Sequence, residues 1–318
     1  MAAPTAKNTM IAAGCGAVSA ALFLATVFNA AGALLAYLAL LPLFAAGLSL
    51  GITAAAVSVT VAALVVTSLT TAAVGLLFAV VYAVPAMLTM WLGLWRRQGS
   101  DGTAVWYPVG RLIAWLVVYG CGCFTILALI SGDSGVREAM AQIEAIMTSV
   151  LPVDENPQVA ALVRTIAGIF PAVVIFSWTV MTVVNVVLGH GLLERFRRNL
   201  RPAPRYAEIE LPEWFTALTA GTAALALIAP ALDMAALGFA ARNSALALLG
   251  PYLFVGLAVV HLWARRWSLR LAVLAGFYLL LLVFGWVGML LVAGLGFMEQ
   301  WLFLRRRFAA GHSQEDER

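Results

Sequence analysis

From Asn8 to Trp95 the chain carries no Asp, Glu, Lys, Arg or His, and its few polar positions there are almost all Ser and Thr. A membrane-spanning helix takes about 20 apolar residues, so this block predicts four crossings joined by tight turns. They fall at residues 10–28, 34–50, 52–71 and 73–95. The second contains Leu41-Pro42-Leu43 and ends in Gly47-Leu-Ser-Leu-Gly51. Proline lacks the amide hydrogen that a helix needs, so this segment is expected to bend or break at Pro42. Gly47 and Gly51, four residues apart, predict a face on which another helix approaches closely. Phe28 to Ala33 weakly resembles a signal-peptide cleavage site, although the apolar run continues past it and a signal anchor explains it equally well.

Beyond this block the pattern alternates between apolar runs and short charged breaks. A fifth span is expected at 106–130, with Trp106, Tyr107 and Trp115 near its start and Arg111 shallow enough to snorkel to the headgroups. Residues 131–165 are polar and acidic in sum. Within them Val136, Met140, Ile143, Met147 and Val150 recur at three- and four-residue spacing, which predicts an amphipathic helix. That helix either lies on the membrane or covers the mouth of the bundle; its acidic polar face favours the cover, since interfacial helices are usually basic there. Asn156-Pro157 starts a new helix, and the sixth span at 166–188 should kink at Pro171. Asn185, near its inner end, is expected to bond a neighbouring helix. The seventh span, 214–228, ends before Pro230. Asp233, Arg242 and Asn243 mark an outer loop or re-entrant stretch ahead of an eighth span at 244–263, with Pro251 inside it. The last apolar run, 271–304, would measure roughly 51 Å as one helix. One crossing needs only about 30 Å, so two short crossings are expected and the total is ten, against a competing count of eight or nine.

Composition agrees with this picture. The 318 residues are 63% hydrophobic and only 11% charged, and the mean hydropathy is +0.98, whereas a soluble domain carries about 25% charged residues. The fold class expected is all-α, a single polytopic transmembrane bundle over residues 1–310 with a polar tail at 311–318. The net charge of +4 comes from short basic clusters beside apolar runs, which is a topology signal and argues against nucleic acid as a partner. Arg96-Arg97, the arginines of the 193–213 loop and the two clusters flanking 271–304 would then be cytoplasmic, in a cell inner membrane. Both termini would lie on that side, and the acidic 131–165 insertion outside.

Little of this carries chemistry. Cys15, Cys121 and Cys123 lie in apolar segments, without the His or carboxylate spacing of a metal site, and are expected to pack as small hydrophobes. His261 would need an acidic partner at its own depth to relay protons. No nucleophile elbow, phosphate loop or cofactor fingerprint is present, so neither an enzyme nor a cofactor is expected. The basic loop could hold anionic headgroups besides marking topology.

Leu41-Pro42-Leu43 running into Gly47-Leu-Ser-Leu-Gly51, then Gly256-Leu-Ala-Val-Val-His261, and finally Leu295-Gly-Phe-Met-Glu-Gln-Trp-Leu-Phe-Leu-Arg305 resemble the bacterial DUF2232 (YybS-like) membrane proteins. The N-terminal pattern of that family is similar to the substrate-capturing S components of energy-coupling-factor vitamin transporters, although this chain has several extra spans. The resemblance implies small-molecule uptake or binding, with the lipid bilayer and other membrane subunits as partners. Broken helices at Pro42, Pro171 and Pro251, under a covering helix, would shape a cavity opening outward near Asn29, Asp233 and Arg242. The alternative is a non-catalytic scaffold of a cell-envelope assembly that recruits other helices through Gly and Ala grooves.

Overall fold

The computed structural model describes residues 5–27, 32–100, 102–149, 157–204 and 209–302. The chain is helical almost throughout: α1 (Ala6–Leu24), α2 (Gly32–Ala36), α3 (Leu40–Leu50), α4 (Ile52–Leu69), α5 (Ala72–Phe78), a wide π turn (Ala79–Ala83) and α6 (Val84–Gly93). A two-stranded ribbon follows, β1 (Arg96–Gln98) and β2 (Ala104–Trp106), antiparallel with Arg96 opposite Trp106. Then come α7 (Val109–Thr148), α8 (Pro157–Arg195), α9 (Glu213–Ile228), a 3-10 turn (Ala229–Leu232), α10 (Ala235–Leu248), α11 (Gly250–Ala264) and α12 (Arg270–Leu302). Among the described residues nine helical segments are long and apolar enough to cross a membrane.

The spans predicted inside the uncharged block match these segments to within a few residues. Trp106 is a difference: it belongs to the ribbon, and the helix begins only after Pro108, which cannot continue a strand ladder. A second difference is Arg242 and Asn243, expected in a loop or re-entrant stretch, which instead sit inside α10. Pro251 lies within an apolar segment, Ala235–Ala264, as expected, and opens α11 there, where its missing amide hydrogen costs nothing. The last apolar run is one segment broken at Gly285, whose φ of 51° favours glycine. A Cβ on Gly288 would lie 3.5 Å from the Cα of Leu281. In a straight helix those residues stand roughly 10 Å apart along the axis, so the limbs of α12 fold back on each other. Each limb measures roughly 23 Å, less than one full crossing.

The molecule divides into two compact units, Met1–Leu112 with Trp178–Pro204, and Ile113–Ser177 with Arg205–Arg318. In the first, α1 lies against α3 and α4 so closely that a Cβ on Gly16 would fall 2.3 Å from the carbonyl oxygen of Ser58. Leu40, Leu43, Phe44 and Phe78 are fully buried there, and Phe23 packs edge-on against Phe78 and Tyr82. Gly47 is the close-approach position its spacing predicts, since a Cβ would meet Met90 Sδ at 2.6 Å. Gly51 is not: it turns the chain between α3 and α4 with a φ of 95°. In the second unit Phe215, Leu248 and Tyr252 form the core, and α11 meets α12 backbone to backbone. A Cβ on Gly256 would sit 2.0 Å from the Val292 oxygen, and one on Gly296 would sit 1.9 Å from the Tyr252 oxygen.

The interrupted helices are stabilised by side chains. Where α2 unwinds into α3, Ser19 Oγ donates to the Ala39 carbonyl at 2.6 Å, and Asn185 Nδ2 donates to the Tyr37 carbonyl at 2.7 Å. Asn185 therefore has the helix-bonding role expected of it. Pro85 offers no amide hydrogen to the Val81 carbonyl four residues back, and the Trp178 indole fills that place at 2.9 Å. Without water in the hydrocarbon core, each such carbonyl must be met by protein.

Candidate functional site

The second unit contains a cavity of about 450 Å³ between the C-terminal part of α7, the end of α9 with its 3-10 turn, and α10. Three local features of the sequence build it. Gly132, at a φ of 64°, breaks α7, and Asp133 begins the part that follows. Beyond the break Val136 is buried, while Met140, Ile143 and Met147 are half-buried on the stripe that the three- and four-residue spacing predicts. Pro230 ends α9 in a 3-10 turn, and Asp233 closes that turn in the left-handed region at a φ of 54°, which Asp tolerates better than most residues.

Two helix faces then meet across the cavity. From α7 come Asp133, Val136, Arg137 and Met140, and from α10 Ala235, Gly238, Phe239 and Arg242. Both sets follow the i, i+3, i+4, i+7 spacing of a single face. They run in the same direction. Asp133 Oδ1 accepts the Ala236 amide hydrogen at 2.6 Å, capping the start of α10. At the other end Met140 Cε and the Arg242 guanidinium both border Gly168 of α8, where an added Cβ would lie 3.9 Å and 3.2 Å from them.

Of the three residues expected to shape a binding site, Asp233 and Arg242 line this one cavity, and Asn29 lies outside the described residues. Arg242 is partly committed to the fold. It donates to the Gly168 carbonyl at 2.9 Å and lies over the Phe239 ring at 5.7 Å. Asn243 beside it is fully buried and handles the expected break at Pro171. Its Oδ1 accepts the Ala172 amide hydrogen at 3.1 Å, and its Nδ2 donates to the Gly168 carbonyl at 3.1 Å and to the Phe239 carbonyl at 3.0 Å. This one amide thus meets both a donor and an acceptor in the turn around the proline, and α8 runs through Pro171 as a single helix. Asp133 and Arg137 belong to the acidic 131–165 insertion, whose sequence singles out neither as a site residue. The signal that could have added them to the site was their four-residue spacing beside the glycine that ends the span.

The other polar residues singled out earlier fall elsewhere. His261 Nδ1 lies 2.8 Å from the Leu257 carbonyl and Nε2 lies 3.4 Å from the Tyr278 hydroxyl, and no carboxylate contacts the ring among the described residues. Arg111 is exposed. The three cysteines are free, and among the described residues no group of His, Cys, Asp and Glu could hold a metal. The basic loop contains a surprise in Arg201. It is no surface charge, being only 7% exposed, and it donates to the Gly93 carbonyl and the Tyr107 carbonyl, each at 2.9 Å. It ties the end of α6 and the residue before Pro108 to the loop, so part of the basic cluster that marks topology also serves the fold.

A family model described as a predicted membrane protein, DUF2232, matches residues 17–299 of the chain. No curated protein and no solved structure matches it.

Proposed function

Because the chain belongs to the DUF2232 family of predicted membrane proteins, its work is done in a bilayer, and we propose that it is a small-molecule-binding membrane subunit of a transport system. Its site in this reading is the cavity between α7, α9 and α10. The observation that carries the proposal is the grouping of Asp133, Arg137, Asp233 and Arg242 around one space of about 450 Å³. That volume falls in the range of small-ligand pockets, about 300 to 1,000 Å³, and a few polar groups on an apolar wall are what such pockets use to fix orientation. The broken helices add support, because transporters build their sites where helices are interrupted and the freed backbone is met by protein. The likeness of the N-terminal pattern to S components points to the same class of work. The reading assigns no catalytic step to these residues. It places the protein in the cell inner membrane with the basic loops and both termini cytoplasmic, so that the cavity serves the outer side.

Native mass spectrometry of the protein released from nanodiscs tests the proposal. A non-lipid ligand of a few hundred daltons is expected on the wild-type chain, and its loss on Ala235→Trp, which fills the cavity from an exposed wall position. A ligand retained unchanged by that variant would remove the site. A wild-type protein that is always ligand-free and always bound to another membrane protein would favour the scaffold.

A further inference from the structure

The cavity is lined by two carboxylates and two guanidiniums that do not neutralise one another. Among the described residues the side chains of Arg137 and Asp233 make neither a hydrogen bond nor an ion pair. Asp133 spends one oxygen on the start of α10, and Arg242 spends one nitrogen on Gly168, so each keeps further hydrogen-bonding capacity. Asp133 and Arg137 stand four residues apart on one helix, where opposite charges readily pair, and yet they remain apart.

The charges are also sorted along the cavity. Asp133 meets Ala236, and Asp233 sits three residues before Ala236, so both acids belong to one end. Arg137 lies one turn further along α7. Arg242 lies two turns into α10, beside Met140 at Gly168. Four to seven residues of helix correspond to about 6 to 10 Å, so the basic groups face the acids across roughly that distance. The wall between them is apolar, made by Val136 and Phe239.

Resting on the binding reading above, we propose that the ligand is a small zwitterion, with an ammonium group held at the Asp133 and Asp233 end and a carboxylate or similar acid group held by Arg137 and Arg242. A short apolar linker between its charges would lie on Val136 and Phe239. A ligand with a single charge would leave the opposite pair without a counterion and so forgo half of the charge-assisted contacts the site offers. A neutral apolar ligand would do so at both ends. A zwitterion whose charges are adjacent, as in glycine, is too short to reach both.

The test uses the full chain in nanodiscs and isothermal titration with 6-aminohexanoate, hexanoate, hexylamine and glycine. The expected result is that 6-aminohexanoate binds at least about tenfold more tightly than the other three, the scale set by one charge-assisted hydrogen bond. Asp233→Asn should weaken 6-aminohexanoate by about tenfold and leave hexanoate unchanged, and Arg137→Gln should weaken it similarly and leave hexylamine unchanged. Both side chains are exposed and bond nothing among the described residues, so neither substitution removes a contact that holds the fold. Hexanoate or hexylamine binding as tightly as 6-aminohexanoate, and lost in Ala235→Trp, would overturn the zwitterion while leaving the cavity as a binding site. Failure of all four probes to bind also overturns it, and the co-purified ligand then judges the binding reading separately.

Discussion

Replacing Asn243 with Leu, which branches at Cγ as Asn does, removes the amide that serves the turn around Pro171 and leaves no cavity. The loss can be worked from the bonds. The buried Ala172 amide hydrogen loses its acceptor, the Oδ1 of Asn243, a residue 0% exposed to solvent. A buried donor left without a partner costs about 1 to 3 kcal/mol. The bonds from Nδ2 to the Gly168 and Phe239 carbonyls are also lost. Their acceptors are less exposed to the consequence, because Gly168 keeps Arg242 Nη2 at 2.9 Å, and interhelical bonds in membrane proteins average about 0.6 kcal/mol each. The sum is a destabilisation of about 2 to 4 kcal/mol. It should appear as an earlier midpoint when the protein in mixed micelles is titrated with sodium dodecyl sulfate and followed by tryptophan fluorescence. The cause is separable from general damage by a double-mutant cycle with Pro171→Ala. Alanine returns an amide hydrogen to the helix and lets the ladder close by itself, so Asn243→Leu should cost at least about 1 kcal/mol less in that background. Equal costs in the two backgrounds would falsify the assignment of Asn243 to the proline turn.

Five other variants are read in the same assay. Arg201→Lys should destabilise by about 2 kcal/mol, because a single ammonium cannot span the Gly93 and Tyr107 carbonyls that the guanidinium holds together; a loss within experimental error would mean that the clamp is unimportant. Gly256→Val should cost about 1 to 3 kcal/mol by forcing α11 away from the Val292 carbonyl, whereas Gly122→Ala, whose Cβ would meet nothing within 4 Å, should be nearly neutral. Asp233→Asn and Arg137→Gln should each change stability by less than about 0.5 kcal/mol, so that any effect on binding reads as binding; a larger shift would show that these charges serve the fold.

The fold was legible wherever solvent alone decides the conformation. A stretch such as 52–69, apolar on every side, has one low-energy state in a bilayer, with each amide bonded inside its own segment, and the segment ends predicted there lie within two residues of those observed. Breaks were legible as places and not as shapes. Pro42 marks the region where α2 gives way to α3, but the unwinding itself falls at residues 37–39, where Ser19 and Asn185 supply the partners. At Pro171 the proline is plain in the sequence, but Asn243, the residue that meets the turn around it, lies 72 positions away and no local pattern announces it. Pro85 went unnoticed altogether, since the Trp178 indole that completes its turn reads in the sequence as one more apolar side chain.

The candidate site was half legible for a related reason. Asp233 and Arg242 drew attention as isolated charges in an apolar sequence, a signal that depends only on composition near each residue. That they share a space with Asp133 and Arg137 depends on Gly132 turning the second part of α7 so that Asp133 can cap α10, about a hundred residues later in the chain. The cap and the cavity are therefore two results of one contact. Asp133 fixes the register of the two helix faces, and that register decides how far the guanidiniums stand from the acids. A change that weakens the cap should alter the preferred length of a zwitterion before it abolishes binding. Asp133→Asn keeps an oxygen for the Ala236 amide hydrogen and should preserve the preference, whereas Asp133→Ala should broaden it toward shorter and longer linkers in a titration series from 4-aminobutanoate to 8-aminooctanoate. An unchanged preference in Asp133→Ala would show that the faces are held in register by other packing.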